Sequence, residues 1–465
     1  TQSRGLGDVY KRQAPPSLKS SGEVPLDQRR WWPGAAAAAA AWVAVVHVSL
    51  WWLDRYPLPR VLWGDENGYF AAATKLLAGD SGWWPEPLWP PLYPQFIAGV
   101  MWFGRGSLAI LVLVQSVLLA ATAVLLGDLT RRVTGSRAAG LAVAVLTLGY
   151  PPLAAFSHYL WPEILHLFLF SAMLWLLVGR WRTVFWCAMA GVILGLALLS
   201  KSLLMPFVPV FLLAAVWGQT LKEAVPRVAL MLVFTVATVT PTVLANAQRT
   251  GTPMIANSAA FNLWVGLNDV GRESFRNDVV WPAYQQWEAS ADTYAQRDRI
   301  LRGRIRELIG ERGWLATLGN QISKQYFRLF HAGCYLTDQL PGGGAQRQSG
   351  AGYIGVGPTL GRVVRSVSIA PYLLLLVAAP MGLMVGGCRR DRWVRTLVMF
   401  IAYNLLLFLW FHVKTRYRIQ MMPAVLVGVG CLVAWVEAGC RPRPSRFRIV
   451  GVVAVAALLF WFAIG

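Results

Sequence analysis

Long apolar runs broken by short basic loops set the pattern of this chain. The runs recur from about residue 35 onward at some 15–20 residues each, the length a helix needs to cross a hydrocarbon core of roughly 30 Å. They predict about eleven spans, near 35–53, 107–127, 138–154, 162–178, 184–200, 203–217, 228–245, 369–386, 396–412, 419–437 and 448–464. One further apolar piece, Leu92–Phe103, follows Pro90-Pro91 and has only about a dozen residues, too few to cross; it reads as an interfacial or re-entrant segment.

Positive charge then assigns the sides. Arg29/Arg30, Arg131/Arg132/Arg137, Arg180/Arg182, Lys222/Arg227, Arg389/Arg390/Arg392/Arg395 and Arg441/Arg443/Arg446/Arg448 all fall on one face, which becomes the cytoplasm. The other face holds two large loops, about 54–107 and 246–368, and short ones at 155–161, 201–202 and 413–418. The expected organisation is a lead over 1–34, an N-terminal transmembrane module over 35–245, an extracytoplasmic loop over 246–368, and C-terminal helices over 369–465. Asp8 to Gln13 reads like a translated sequencing-library transposon end. Thr1 to about Gln13 is therefore expected to be a non-native tag, and the stretch that follows a disordered cytoplasmic lead.

Composition agrees with lipid as the main solvent. The 465 residues are 56% hydrophobic and 14% charged, against roughly 45–50% and about 25% in soluble domains. Disorder, a collagen-like fibre and a disulfide scaffold are excluded on the same figures. The net charge of +21 would suggest nucleic acid on a soluble protein; here the cytoplasmic loops account for it, and no nucleic-acid partner is expected. Cys187, Cys334, Cys388, Cys431 and Cys440 lack metal-ligand spacing, and no metal site is indicated. The Trp51/Trp52 and Trp83/Trp84 pairs read as interfacial anchors. No internal repeat is visible.

Within the second large loop, Leu301, Ile305, Leu308, Leu315, Leu318, Ile322, Tyr326 and Leu329 recur at helical spacing. Arg297, Arg299, Arg302, Arg304, Arg306 and Arg312 cover the opposite face, the pattern of an amphipathic helix pair against water or lipid headgroups. Pro341–Gly361 is Gly-rich and is expected to be mobile.

The stretch Trp63-Gly-Asp65-Glu66-Asn-Gly-Tyr69 carries the most chemistry. Adjacent carboxylates beside a bilayer are solvated, paired or catalytic. From the residues alone, a hydrated acidic loop and a catalytic one stand level. With Tyr69 three residues after Glu66, and Pro90-Pro91-Leu92-Tyr93-Pro94 downstream, this region resembles the GT-C glycosyltransferases. The nearest groups are the protein O-mannosyltransferase-like group (glycosyltransferase family 39) and the lipid A aminoarabinose and galacturonic acid transferases. Further matches follow in order: Glu163 at a span start, Gly195-Leu-Ala-Leu-Leu-Ser-Lys201, Pro241…Asn246…Gly251, Asn262-Leu-Trp264-Val-Gly266-Leu-Asn268, and His412-Val-Lys414-Thr-Arg416-Tyr417-Arg418…Pro423. Lys201 stands where the family usually has Arg. Ala245 replaces another Arg, so that side chain's role is not carried over.

The resemblance implies an all-α polytopic membrane protein, a GT-C-like bundle of about eleven transmembrane helices with two large extracytoplasmic loops. It also implies inverting transfer of a sugar from a polyprenyl-phosphate donor to an acceptor hydroxyl on a glycan, lipid or protein. The site would lie at the extracytoplasmic face of a bacterial inner (plasma) membrane. Inversion requires a base on the acceptor hydroxyl; Asp65 is that candidate, with Glu66 orienting its neighbours. The departing lipid phosphate needs fixed cations, for which Lys201, Arg416 and Arg418 are candidates. Tyr69, Glu163, Asn262, His412 and Lys414 are candidate substrate-binding residues. A divalent cation can supply the same charge, but the basic residues make one unnecessary, so no obligatory cofactor is expected.

Plainer roles compete. Glu163 can equally cap the helix after Pro162, Lys201 can snorkel, and His412 and Lys414 can mark a span edge. Two other functions compete as well: an envelope glycan ligase or polymerase, which would place its catalytic groups in a late large loop, and a lipid or glycan transporter, which would place charges within its spans.

Overall fold

The computed structural model describes residues 31–465 apart from 54–55, 84–87, 180–182, 269–281, 283–284, 292, 442 and 465. The expected tag and lead through residue 30, with Arg29 and Arg30, lie outside the described residues, as do Trp84, Arg180 and Arg182.

Nearly everything described is helix, as expected for a chain that must satisfy its backbone inside lipid. The N-terminal part runs α1 (Trp31–Trp52), a two-residue strand β1 (Arg60–Val61), α2 (Glu66–Leu77), α3 (Leu92–Phe103), α4 (Leu108–Thr134), α5 (Arg137–Gly149), α6 (Pro151–Phe156), α7 (Glu163–Gly179), α8 (Val184–Ser200), α9 (Val208–Val216) and α10 (Leu221–Thr250). The middle part holds α11 (Ala259–Asn268), α12 (Tyr294–Arg312), α13 (Trp314–Phe330), α14 (Tyr335–Asp338), α15 (Gly344–Ser349) and β2 (Gly352–Tyr353). The chain closes with α16 (Pro358–Val385), α17 (Arg392–Trp410), a 3₁₀ turn (Thr415–Met421), α18 (Met422–Glu437) and α19 (Arg446–Ile464).

Among the described residues, 7 candidate spans are long and apolar enough to cross a membrane: the helical stretches 34–52, 108–134, 221–250, 358–385, 392–410, 415–437 and 446–464. The other four expected spans are shorter apolar helices, Arg137–Gly149, Glu163–Gly179, Val184–Ser200 and Ser202–Val216. The chain is a multi-pass membrane protein. α3 has 12 residues, about 18 Å of helix, and buries Tyr93, Ile97, Ala98 and Met101 against the bundle while Trp102 and Phe103 stay exposed. It is too short to cross, in keeping with the re-entrant reading.

The bundle is built by close helix contacts rather than by hydrophobic exclusion, which lipid cannot supply. α4 packs on α1, α5 and α7; α8 packs on α7 and α10; α16 packs on α18 and α19. A Cβ on Gly382 would sit 1.8 Å from the Gly428 carbonyl, so the α16–α18 crossing requires a bare backbone there. At the end of α4 remote from Asp65, buried Asp128 accepts from Arg131, Arg132 and Trp175, pairing a charge that lipid would otherwise penalise.

The expected amphipathic pair is present as α12 and α13. Thr293 and Gln296 form a capping box that starts α12, and Gly313 turns the chain into α13.

The expectation of a mobile Gly-rich segment over Pro341–Gly361 is overturned. It contains α15 and β2, and β2 pairs antiparallel with β1 in the register Arg60↔Tyr353. Ala345, Ala351 and Tyr353 are buried. The Tyr353 hydroxyl lies 2.9 Å from that of Tyr159, and Ile354 N–H donates to the Pro59 carbonyl at 2.9 Å. The segment builds no core of its own; it is ordered by a core supplied from the first loop.

Candidate functional site

Asp65 occupies the N-cap position of α2 and Glu66 its first turn, where the helix dipole favours negative charge. Their environments then separate them. Glu66 is fully buried and accepts from Arg60 Nη1 at 2.7 Å, from Arg60 Nη2, from Trp63 N–H at 2.9 Å and from Leu160 N–H at 2.8 Å. Both of its oxygens are taken. A carboxylate with four donors has no lone pair poised for a substrate proton, which suits Glu66 to the orienting part expected of it.

Asp65 is more open, with its side chain 36% exposed, and accepts from Arg416 Nη2 at 3.0 Å. The Arg416 guanidinium lies 3.4 Å from the centre of the Trp161 ring, a cation–π contact. Arg416 is buried, and its Nε and Nη1 find no hydrogen-bond acceptor among the described residues.

Glu163 opens α7 and Lys201 follows α8, and the two meet at 2.8 Å. Glu163 Oε2 is buried without a partner among the described residues. The charges of Asp65 and Glu163 both act on Arg416, and that of Arg416 acts on Lys201. Burial lowers the Lys201 ammonium from its ordinary range, and Glu163 opposes that by pairing with it. Two acids and two bases thus alternate in one cluster. Tyr69 closes it from the α2 side, buried with its ring 5.2 Å from Tyr93 and 6.1 Å from Trp161.

The remaining candidates sit elsewhere. Arg418, two residues beyond Arg416, turns to another partner set. It donates to the His331 carbonyl at 2.8 Å and to the Gly333 carbonyl at 3.4 Å, and it stacks 3.9 Å from the Tyr372 ring. Its donors reach the 331–333 turn, away from the Asp65–Arg416 pair. Asn262 donates from Nδ2 to the Ser258 carbonyl at 2.9 Å, and its own carbonyl accepts from His412 N–H at 2.9 Å. The pair ties α11 to the chain after α17. Half-buried Lys414 acts with Arg418, Arg365 and Arg347 on Asp338, whose carboxyl burial nevertheless pushes up to about 6. Loss of hydration, with His47 and Arg60 nearby, lowers the half-buried His158 imidazole to about 4.

Sequence reasoning missed Arg60, Trp161, Tyr335 and Tyr353. Trp161 Nε1 donates to the Tyr335 hydroxyl at 2.8 Å, and that hydroxyl donates to the Trp63 carbonyl at 2.9 Å. This aromatic brace joins the first loop to α14. The only hint in the sequence was proximity: Trp161 stands two residues before Glu163, and Arg60 six before Glu66. Beyond Arg418 an apolar groove of about 240 Å³ runs between α16, α17, α18 and α19, lined by Leu376, Ala379, Leu383, Met422 and Val425 among others. Among the described residues, no three His, Cys, Asp or Glu gather in a form able to hold a metal ion.

Comparison with known proteins places part of this framework. Residues 89–243 match the family described as dolichyl-phosphate-mannose-protein mannosyltransferase. That stretch includes Glu163 and Lys201 and excludes Asp65 and Arg416. No curated protein matches by sequence. Among solved structures, the chain aligns with the archaeal oligosaccharyltransferase AglB from Archaeoglobus fulgidus, in complex with an inhibitory peptide and a dolichol-phosphate, at 13% identity and TM-score 0.48. The alignment covers 94% of this chain and 55% of that one, so the chain spans little more than half of that protein's length. ArnT from Cupriavidus metallidurans bound to undecaprenyl phosphate aligns at 15% identity and TM-score 0.35, over 87% of this chain and 78% of that one.

Proposed function

Starting from a chain similar to the GT-C glycosyltransferases, we propose that it transfers a sugar from a polyprenyl-phosphate donor to an acceptor hydroxyl, with inversion, at the extracytoplasmic face of a bacterial plasma membrane. The observation that carries this reading is the Asp65–Arg416 pair at 3.0 Å, with Glu163–Lys201 beside it.

The reaction needs a base and a phosphate-stabilising cation close together, and this cluster supplies both. Asp65, the more open carboxylate, takes the proton as the acceptor oxygen bonds to the anomeric carbon. The bond from that carbon to the phosphate oxygen breaks, and the electron pair leaves with the lipid phosphate. Among the described residues, Arg416 Nε and Nη1 find no hydrogen-bond acceptor, which suits them to the developing charge. Lys201 adds a second cation, held in place by Glu163. The apolar groove beyond Arg418 is suited to a prenyl chain. Among the described residues, the basic clusters at 131–137, 222–227, 389–395 and 441–448 lie at the helix ends remote from Asp65, which supports an extracytoplasmic site.

The test is transfer itself. Membranes containing the chain, given a synthetic polyprenyl-phosphate sugar of defined anomer, should yield glycosylated envelope material with the opposite anomer by NMR. Retention of configuration, or flux of the lipid-linked sugar without any new glycosidic bond, would overturn the reading.

A further inference from the structure

Asp65 itself is held by few contacts; its position is fixed by what lies one residue along the chain. Glu66 is locked by four hydrogen bonds, two of them from Arg60. Arg60 does more than neutralise Glu66. It also donates to Gln339 Oε1 at 3.2 Å and to the His158 carbonyl at 3.3 Å, and its guanidinium lies 4.7 Å from the Tyr159 ring. One planar group therefore joins four segments: β1, the start of α2, the 158–160 turn and α14.

Two of those segments lead directly to the cluster. The 158–160 turn continues into Trp161, on which Arg416 stacks. α14 carries Tyr335, which is bonded to both Trp161 and Trp63. Arg60 also stands in β1, paired with β2 at Tyr353. A single buried side chain, 5% exposed, thus links the segment that carries Asp65 to the segments that carry and brace the ring beneath Arg416.

We propose that Arg60 is the positioning residue of this site: through Glu66 and the 158–161 turn it sets the separation of Asp65 from Arg416. The proposal rests on the transfer reading above. Arg60 touches no reacting atom, so its loss should act on the rate and leave donor affinity nearly unchanged. A misplacement of about 1 Å can cost on the order of 100-fold in rate. A lysine keeps the charge but cannot fork onto both oxygens of Glu66 while reaching Gln339.

The experiment measures kcat and donor KM of the full chain in lipid nanodiscs for Arg60→Ala, Arg60→Lys and Asp65→Asn, with thermal unfolding of each. Arg60→Ala is expected to lower kcat about 100-fold with donor KM within about 3-fold of wild type, and Arg60→Lys to recover part of kcat. Should Arg60→Ala fail to fold, Arg60→Lys and Gln339→Ala carry the test, each losing kcat at constant KM while remaining folded. Wild-type kcat in a folded Arg60 variant, with Asp65→Asn inactive, would overturn the positioning role and leave the transfer reading standing. A defect confined to a raised donor KM, with kcat unchanged, would also overturn it. Wild-type turnover in Asp65→Asn would instead sink the transfer reading on which the proposal depends.

Discussion

Asp65 and Arg416 stand 351 positions apart in the chain and meet at 3.0 Å. One comes from the N-cap of the short helix α2, the other from a 3₁₀ turn leading into α18. Their contact makes the two ends of the molecule one site. It also pairs the proposed base with the proposed phosphate ligand: Asp65 takes Nη2 of the guanidinium, which leaves Nε and Nη1 for a donor phosphate.

Arg416 should not tolerate lysine. An ammonium has no planar face to lie on Trp161 at 3.4 Å and no fork to divide between Asp65 and a phosphate. Arg416→Lys is expected to raise donor KM at least 10-fold, about 1.4 kcal/mol of lost binding, with smaller effects on folding. Donor titration by single-turnover transfer checks this, and an unchanged KM would remove Arg416 from the phosphate site.

With Lys201 as the proposed second phosphate cation, activity should depend on pH. Burial lowers its ammonium from the ordinary lysine range, and the protonated form is the one that attracts phosphate. Donor affinity should therefore be full at neutral pH and fall as pH rises through a value below that of an exposed lysine. Lys201→Arg should move this loss to higher pH. A donor KM flat in pH up to the stability limit of the protein would show that Lys201 takes no part.

Asp338 should make the fold, rather than the chemistry, sensitive to pH. Its carboxyl is pushed up to about 6, chiefly by burial, so between its ordinary value and about 6 the folded state binds more protons than the unfolded one. Stability then falls as pH rises through that window. Asp338→Asn should raise Tm at pH 7–8, by on the order of 1–3 kcal/mol in stability, and change little at pH 4. Equal gains at both pH values would mean the effect is not one of charge.

Much of this architecture was legible in the sequence. Length and apolarity located the helices because lipid leaves the backbone no alternative, and the shortness of Leu92–Phe103 marked it as non-crossing. Asp65, Tyr69, Glu163 and Lys201 were singled out through the resemblance to the GT-C glycosyltransferases, since from the residues alone a hydrated acidic loop stood level with a catalytic one. Contacts across long separations were not legible. Nothing local tells that Arg416 and Arg418 point to different partners, since that depends on Trp161 and Tyr372, which come from opposite halves of the chain. Nor does a Gly-rich stretch announce that Tyr353 will pair with Arg60.

Gly352 tests that pairing. It adopts φ +117, and a Cβ there would lie 2.4 Å from the Gln339 carbonyl. Gly352→Ala should cost about 1–3 kcal/mol from the backbone conformation alone and more from the clash. Protease cleavage within 341–361 should rise with it. A variant as resistant as wild type would mean that the β1–β2 pairing does not hold the segment.

The central claim, that Asp65 is the base of a transfer centre, is tested most directly by single-turnover sugar transfer with Asp65→Asn in nanodiscs, alongside donor binding. The substitution keeps the size of the side chain and removes the charge that accepts a proton. Donor should still bind, while the transfer rate falls by about 10²–10⁴-fold. Transfer at the wild-type rate with intact donor binding would contradict the account.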